Sequence, residues 1–252
     1  MSYIKKHFTL SLLFACLLSL LGGFTELYSI KTRGIYAAMQ TGNTITMFMN
    51  FIDGNIPWAL DRMMVILMFF IGCLTAETLK ATIKKVNKYY PQIVLSLMII
   101  CLIPSICIPV NVEAIQSNGT PTINDIVADC FMALYGAFQF CSFREMNKNV
   151  FSSTMMTTVM KNIAEFLVKS IKEKNIEYAF ISLEYFFILI SFILGAMSFY
   201  LCYKFIDIQS KDTIIQLLPI SMIAVLLILI GLSIFISKKD KEIKLVKNKI
   251  SK

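Results

Sequence analysis

Gly23-Phe24-Thr25-Glu26 through Thr41-Gly42-Asn43 is followed later in the chain by a chemically similar run, Gly136-Ala137-Phe138-Gln139 through Met156-Thr157-Thr158, and both begin inside a hydrophobic stretch. In a small membrane protein such a duplication points to two structural halves meeting around a polar site near mid-membrane. Gly23, Leu27 and Ser29 find Gly136, Phe140 and Ser142 at an offset of 113, while the Thr-Gly and Thr-Thr elements match better at 116. The repeat is diverged, and its register shifts by a few residues between the two matches.

Composition fixes the class. With 57% hydrophobic residues in 252 and a mean hydropathy of +0.70, the chain exceeds the roughly 45–50% apolar content of soluble domains, so a water-soluble core cannot hide its apolar surface. Five segments supply enough apolar residues to cross a bilayer core of about 30 Å: residues 8–30, 63–82, 91–110, 180–205 and 213–236, with 125–143 as a weaker sixth. Lys5-Lys6-His7 before a Leu-rich run also resembles a secretory signal, and Leu13-Phe14-Ala15-Cys16 loosely resembles a lipoprotein cleavage site. Phe14 fits such a site poorly, and cleavage would cut the first copy of the repeat apart. The seven cysteines all fall within expected spans without metal-ligand or CxxC spacing, so they read as small packing residues.

Lysine and arginine placement sets the orientation. Positive residues precede the first span (Lys5, Lys6), lie between the second and third (Lys80, Lys84, Lys85, Lys88), surround the second repeat segment (Arg144, Lys148, Lys161, Lys169, Lys172, Lys174) and follow the last span. The loop 111–124 has none. Under the positive-inside rule this predicts a multi-pass plasma-membrane protein with both termini cytoplasmic, and six spans satisfy the pattern where eight do not. The tail 238–252 carries seven lysines against Asp240 and Glu242, a solvated segment that fixes topology and attracts anionic membrane lipid. It has no aromatic residue to stack on bases and no arginine to read them, which argues against nucleic acid as a partner.

Three helices per half force the second half to enter the membrane upside down relative to the first. The expected organisation is all-α: a first membrane repeat over 1–112, a second over 113–237, and the basic tail. Residues 35–52 mix small, polar and apolar groups, which suits a re-entrant element with exposed, non-helical backbone at Thr41-Gly42-Asn43. In the segment 150–168, Lys161, Glu165 and Lys169 form a charged stripe opposite Ile163, Phe166 and Leu167, so an interfacial amphipathic helix stands beside the re-entrant reading.

Gly23-Phe24-Thr25-Glu26, Met39-Gln40-Thr41-Gly42-Asn43 and Gln139 with Arg144 resemble the motifs of the YoaK-like family, bacterial six-helix membrane proteins of unknown function, over nearly the whole chain. Glu26 stands where that family usually has Asp. Ala137-Phe138-Gln139-Phe140 departs from its Gly-x-Gln-Asn, and Thr157-Thr158-Val159 departs from a second Thr-Gly-Asn. The resemblance implies a symmetric pair of sites with the second chemically weakened, and it brings no substrate.

Individual polar residues have plainer readings as well. Glu26 reads either as a snorkelling carboxylate or as a buried site group, Gln139 as an interhelical hydrogen-bonding residue or a site group, and Arg144 as a cytoplasmic anchor or an anion partner. Asp125 and Asp129 share one face at the start of a span and are expected to face water. The only histidine, His7, precedes the first span, so no nucleophile–base pair suggests an enzyme, and no cofactor is implied. The expectation is a small-solute or ion transporter binding its substrate through Glu26, Gln40, Thr41, Gly42, Asn43, Gln139, Arg144 and Thr157, with Glu26 as a titrating or cation-pairing group. A non-transporting membrane scaffold or accessory subunit is the alternative, and a homodimer is compatible with a chain this small.

Overall fold

The computed structural model describes residues 11–83, 89–110, 119–147, 149–205 and 216–250, with side chains as far as Phe235. Among the described residues there are eight helices: α1 (Leu12–Arg33), α2 (Gln40–Ile52), α3 (Ile56–Thr82), α4 (Tyr90–Cys107), α5 (Ile123–Ser142), α6 (Met156–Glu173), α7 (Ile176–Phe205) and α8 (Pro219–Ile250). A two-stranded antiparallel ribbon, β1 (Glu145–Met146) and β2 (Asn149–Val150), joins α5 to α6. The N-terminal lysines with His7, the lysine loop 84–88, residues 111–118 of the Lys/Arg-free loop and the side chains of the basic tail lie outside the described residues.

Local chemistry sets the helix ends. Ser11 caps α1 by accepting the Phe14 N–H at 3.3 Å. At its far end Gly34 takes the left-handed conformation at φ 68°, where a Cβ would be strained. Thr122 and Asp125 form a reciprocal capping box at the start of α5, and prolines at the first turn open α3 and α4, where the missing N–H costs nothing.

Four helices, α1, α3, α4 and α7, are long and apolar enough to cross a membrane, and they mark the protein as membrane-embedded. The apolar stretch Pro219–Phe235 of α8 is shorter, and α5, carrying Asp125, Asp129 and Gln139, is not among the four. Burial separates their roles. The apolar window of α1 is 67% buried and that of α7 only 22%, so α1 is the central helix and α7 a peripheral one. Leu67, Phe70, Ile71 and Leu74 on α3 and Phe186, Phe187 and Leu194 on α7 are exposed, as lipid-facing side chains are.

The packing order is not the chain order. α1 lies along α7 and α3 along α5, while α2 packs on α3, α6 on α7, and α4 on both α5 and α8. The α1–α7 crossing brings backbones into contact: a Cβ on Gly23 would sit 2.0 Å from the Phe192 carbonyl oxygen, and one on Gly195 would sit 1.9 Å from that of Leu20. Only glycine permits that approach, which is how membrane helices gain dispersion contact without a hydrophobic driving force. Phe199 then fills the groove below, edge-on to both Phe24 and Tyr28.

Two expectations change. Thr41-Gly42-Asn43 is not extended backbone: helix α2 begins at Gln40, so the break falls earlier, at residues 34–39. The amphipathic alternative describes α6, whose Ile163 and Phe166 pack with Val159 against Tyr185 and Ile188 of α7. Its outer face carries the Lys161–Glu165 pair and the Lys169–Glu165 pair, the latter at 2.8 Å. The two lysines hold the Glu165 carboxyl down at about 2, against an ordinary 4.5. Any stability from these pairs is present above the ordinary value and is lost as pH falls through about 2. Solvent screening keeps it small.

Candidate functional site: two pinned helix breaks and a buried charge cluster

After α1 the chain reverses and lays residues 34–39 back on the helix it has just left. The Ala38 N–H donates to Glu26 Oε1 at 2.6 Å, with the amides of Ala37 and Met39 beside the same carboxyl group. Met39, the N-cap of α2, offers no side-chain cap. The buried Glu26, 3% exposed, takes over part of that duty from a neighbouring helix. Asn43 completes the turn: its Oδ1 accepts the Tyr36 N–H at 2.9 Å and its Nδ2 donates to the Tyr36 carbonyl at 2.7 Å and to Gln40 Oε1 at 2.8 Å. Gln40 Nε2 donates in turn to the Ala37 carbonyl at 3.1 Å. Gly42 lies under the Tyr36 ring, where a Cβ would come within 2.6 Å of a ring carbon.

The break before α6 is built in a comparable way. Gln139 Nε2 donates to the Leu18 carbonyl at 2.8 Å and to Ser153 Oγ at 3.1 Å, and Ser152 Oγ accepts the Met155 N–H at 2.9 Å. Each break also presses on a helix distant from it in the chain, the first on α5 and the second on α1. A Cβ on Gly136 would meet the Ala37 carbonyl oxygen at 2.4 Å, and one on Gly22 would meet that of Ser153 at 2.6 Å. Gly22 and Glu26 are four residues apart, roughly 6 Å along the axis, so both breaks reach α1 within about one turn.

Glu26 and Gln139 therefore occupy corresponding places, each spending one polar atom on the break that follows its own helix. The other atom, Glu26 Oε2 and Gln139 Oε1, is buried without a hydrogen-bond partner among the described residues. Of the other expected site residues, Gln40, Gly42 and Asn43 belong to the first break. Thr41 and Thr157 are exposed on the first turns of α2 and α6. Arg144 is exposed, with its guanidinium 5.1 Å from the centre of the Phe140 ring, outside the buried pair and in keeping with an anchor.

A second polar group sits where α1 ends and α3 and α5 begin. Arg33, 2% exposed, lies 3.7 Å from Asp125 and 3.8 Å from Asp129 and donates to the Ile108 carbonyl at 3.1 Å. Asp61 pairs with Arg62, whose guanidinium lies 5.0 Å from the centre of the Trp58 ring. The expectation that Asp129 faces water is overturned, since it is 1% exposed and turned into the helix contact. Only Asp125 is partly open, at 28% of its side chain. The sequence did carry a signal for this cluster. Arg33 and Arg62 lie at the ends of apolar stretches, where a basic residue beside an acid invites a pairing reading, and each has an acid at the same bundle end.

A search of curated proteins and one of solved structures find no match to the chain. The model of the family described as "Protein of unknown function (DUF1275)" matches residues 14–232, which takes in both breaks and the charge cluster. The chain belongs to the DUF1275 family, in which the YoaK-like proteins fall.

Proposed function

We propose that the protein moves a small solute or ion across the bacterial plasma membrane, using a site between two inverted three-helix halves, α1, α3, α4 and α5, α7, α8, with both termini cytoplasmic. The observation that carries this reading is the pair of orphaned acceptors, Glu26 Oε2 and Gln139 Oε1. A buried acceptor without a donor is costly, about 1 to 3 kcal/mol, and a solute N–H, O–H or cation entering beside it removes that cost. The reciprocal packing of α1 on α7 and α3 on α5 supports the two-half arrangement, because a two-fold exchange of halves converts one contact into the other. The breaks before α2 and α6 fit the discontinuous elements that line such sites, with Thr41 and Thr157 offering hydroxyls at the two helix starts.

The scaffold reading draws on the same hydrogen bonds. Glu26, Asn43 and Gln139 each hold backbone in place, and residues that only lock helices together would do the same. The two readings separate in proteoliposomes loaded with radiolabelled sodium, rubidium or small alkyl amines. Transport predicts counterflow by the wild type that Glu26→Gln and Gln139→Ala abolish at unchanged protein abundance. Absence of flux for every probe, with Gln139→Ala failing to accumulate in the membrane, would leave the scaffold.

A further inference from the structure

The charge cluster at the α1–α3–α5 end is short of one positive charge, and its charged groups are poorly joined, since Arg33 Nε and Arg62 Nε lack hydrogen-bond partners among the described residues. Three carboxylates, Asp61, Asp125 and Asp129, meet two guanidinium groups, Arg33 and Arg62. Arg62 is taken by Asp61 next to it in the chain. Asp125 accepts from the Thr122 N–H and hydroxyl at 3.0 and 2.8 Å. Among the described residues Arg33 is the only guanidinium near Asp129 apart from the Asp61-paired Arg62; it lies 3.7 Å from Asp125 and 3.8 Å from Asp129, beyond hydrogen-bond reach, and donates to the Ile108 carbonyl. Both oxygens of the buried Asp129 carboxyl group lack a hydrogen-bond partner, as does Asp61 Oδ1. A pair built only to hold helices together gains most from close bidentate geometry, which this one does not have.

We propose that Asp129 is a reversible proton-binding site inside the membrane, distinct from the Glu26–Gln139 pair. Uptake forms one O–H bond on the carboxylate and breaks one on a hydronium ion, which leaves as water. The added proton supplies the missing unit of positive charge, so that the three acids and two guanidinium groups balance. The groups facing Asp129 are Arg33 and Tyr28 from α1, Asp61 and Arg62 from α3, and Asp125 and Cys130 on its own helix, while α4 contributes the Ile108 carbonyl through Arg33. A metal ion is a poorer occupant. No three His, Cys, Asp or Glu side chains gather as ligands among the described residues.

The test reads protonation directly and does not depend on transport, so it can succeed or fail whatever the flux experiments show. Infrared difference spectra of the purified full chain in nanodiscs, recorded across pH in choline chloride, should contain the carbonyl stretch of a buried protonated carboxyl group that appears and disappears reversibly. In a Glu26→Gln background, which removes another buried carboxyl group that could give such a band, the band should remain, should survive Asp61→Asn, and should be lost on adding Asp129→Asn. If Asp129→Asn does not fold, Asp129→Glu serves instead, and the band must move in frequency. No titrating band in Glu26→Gln, or one in that background that survives Asp129→Asn or fails to move in Asp129→Glu, overturns the proposal. So does a band that sodium chloride abolishes at constant pH, since the site would then take sodium.

Discussion

Asn43 shows how much of the first break rests on one side chain. Its amide matches the Tyr36 peptide group atom for atom, accepting from the N–H and donating to the carbonyl, and it is 0% exposed. Asn43→Ala leaves both Tyr36 groups without these partners and should lower stability by about 1 to 3 kcal/mol. Asn43→Asp is nearly isosteric, yet it sets an oxygen against the Tyr36 carbonyl oxygen and against Gln40 Oε1. It should therefore destabilise at least as much as the alanine variant, as thermal unfolding in detergent would show. A stability ranking with Asp close to wild type would mean that the amide does not hold the turn. The residue types at this site were legible in the sequence, since Met39-Gln40-Thr41-Gly42-Asn43 stood out as a polar run inside an apolar region. Their function in folding was less so: the partner of Asn43 is a backbone group seven residues earlier, and backbone partners leave no mark on composition.

Among the elements, the α1–α7 contact depends on glycines whose importance pattern reading understated. Gly23 was visible as the head of the duplicated run, but Gly195 lies in an apolar stretch with nothing around it to set it apart. Its partner, the Leu20 carbonyl, is far away in the chain, and only the fold brings the two together. Gly195→Ala and Gly23→Ala must push the two helices apart, and each should cost about 1 to 3 kcal/mol by overpacking. Gly231→Ala on α8 meets nothing within 4 Å and should stay within about 0.5 kcal/mol of wild type. Thermal midpoints of the three purified variants would check the contrast. The hydrophobic patterns of α1, α3, α4 and α7 were readable because each is long and apolar. α5 was the weakest reading for a physical reason, since a helix that carries Asp125 in its first turn and Asp129 and Gln139 inward dilutes the hydropathy signal that would reveal it.

For the whole molecule, the lysine distribution makes a prediction that does not depend on any one contact. A membrane-impermeant thiol reagent added outside cells should label a cysteine introduced at Ser117 and should miss one at Asn87, in a background where the native cysteines are replaced by serine or alanine. Labelling at both positions, or the reverse, would overturn the arrangement of two inverted halves. The reciprocal packing carries a further consequence, for the order of synthesis. Gly23 meets its partner Phe192 only after roughly 170 more residues have been made, which at about 5 to 20 residues per second is some ten to thirty seconds. During that interval α1 is in the membrane with its glycine surface uncovered, although Glu26 has met Ala38 and Arg33 has met Asp129 earlier in synthesis. The close face of nascent α1 is thus open to lipid until α7 emerges from the ribosome, and the order of synthesis leaves the tightest helix contact of the described residues among the last to form.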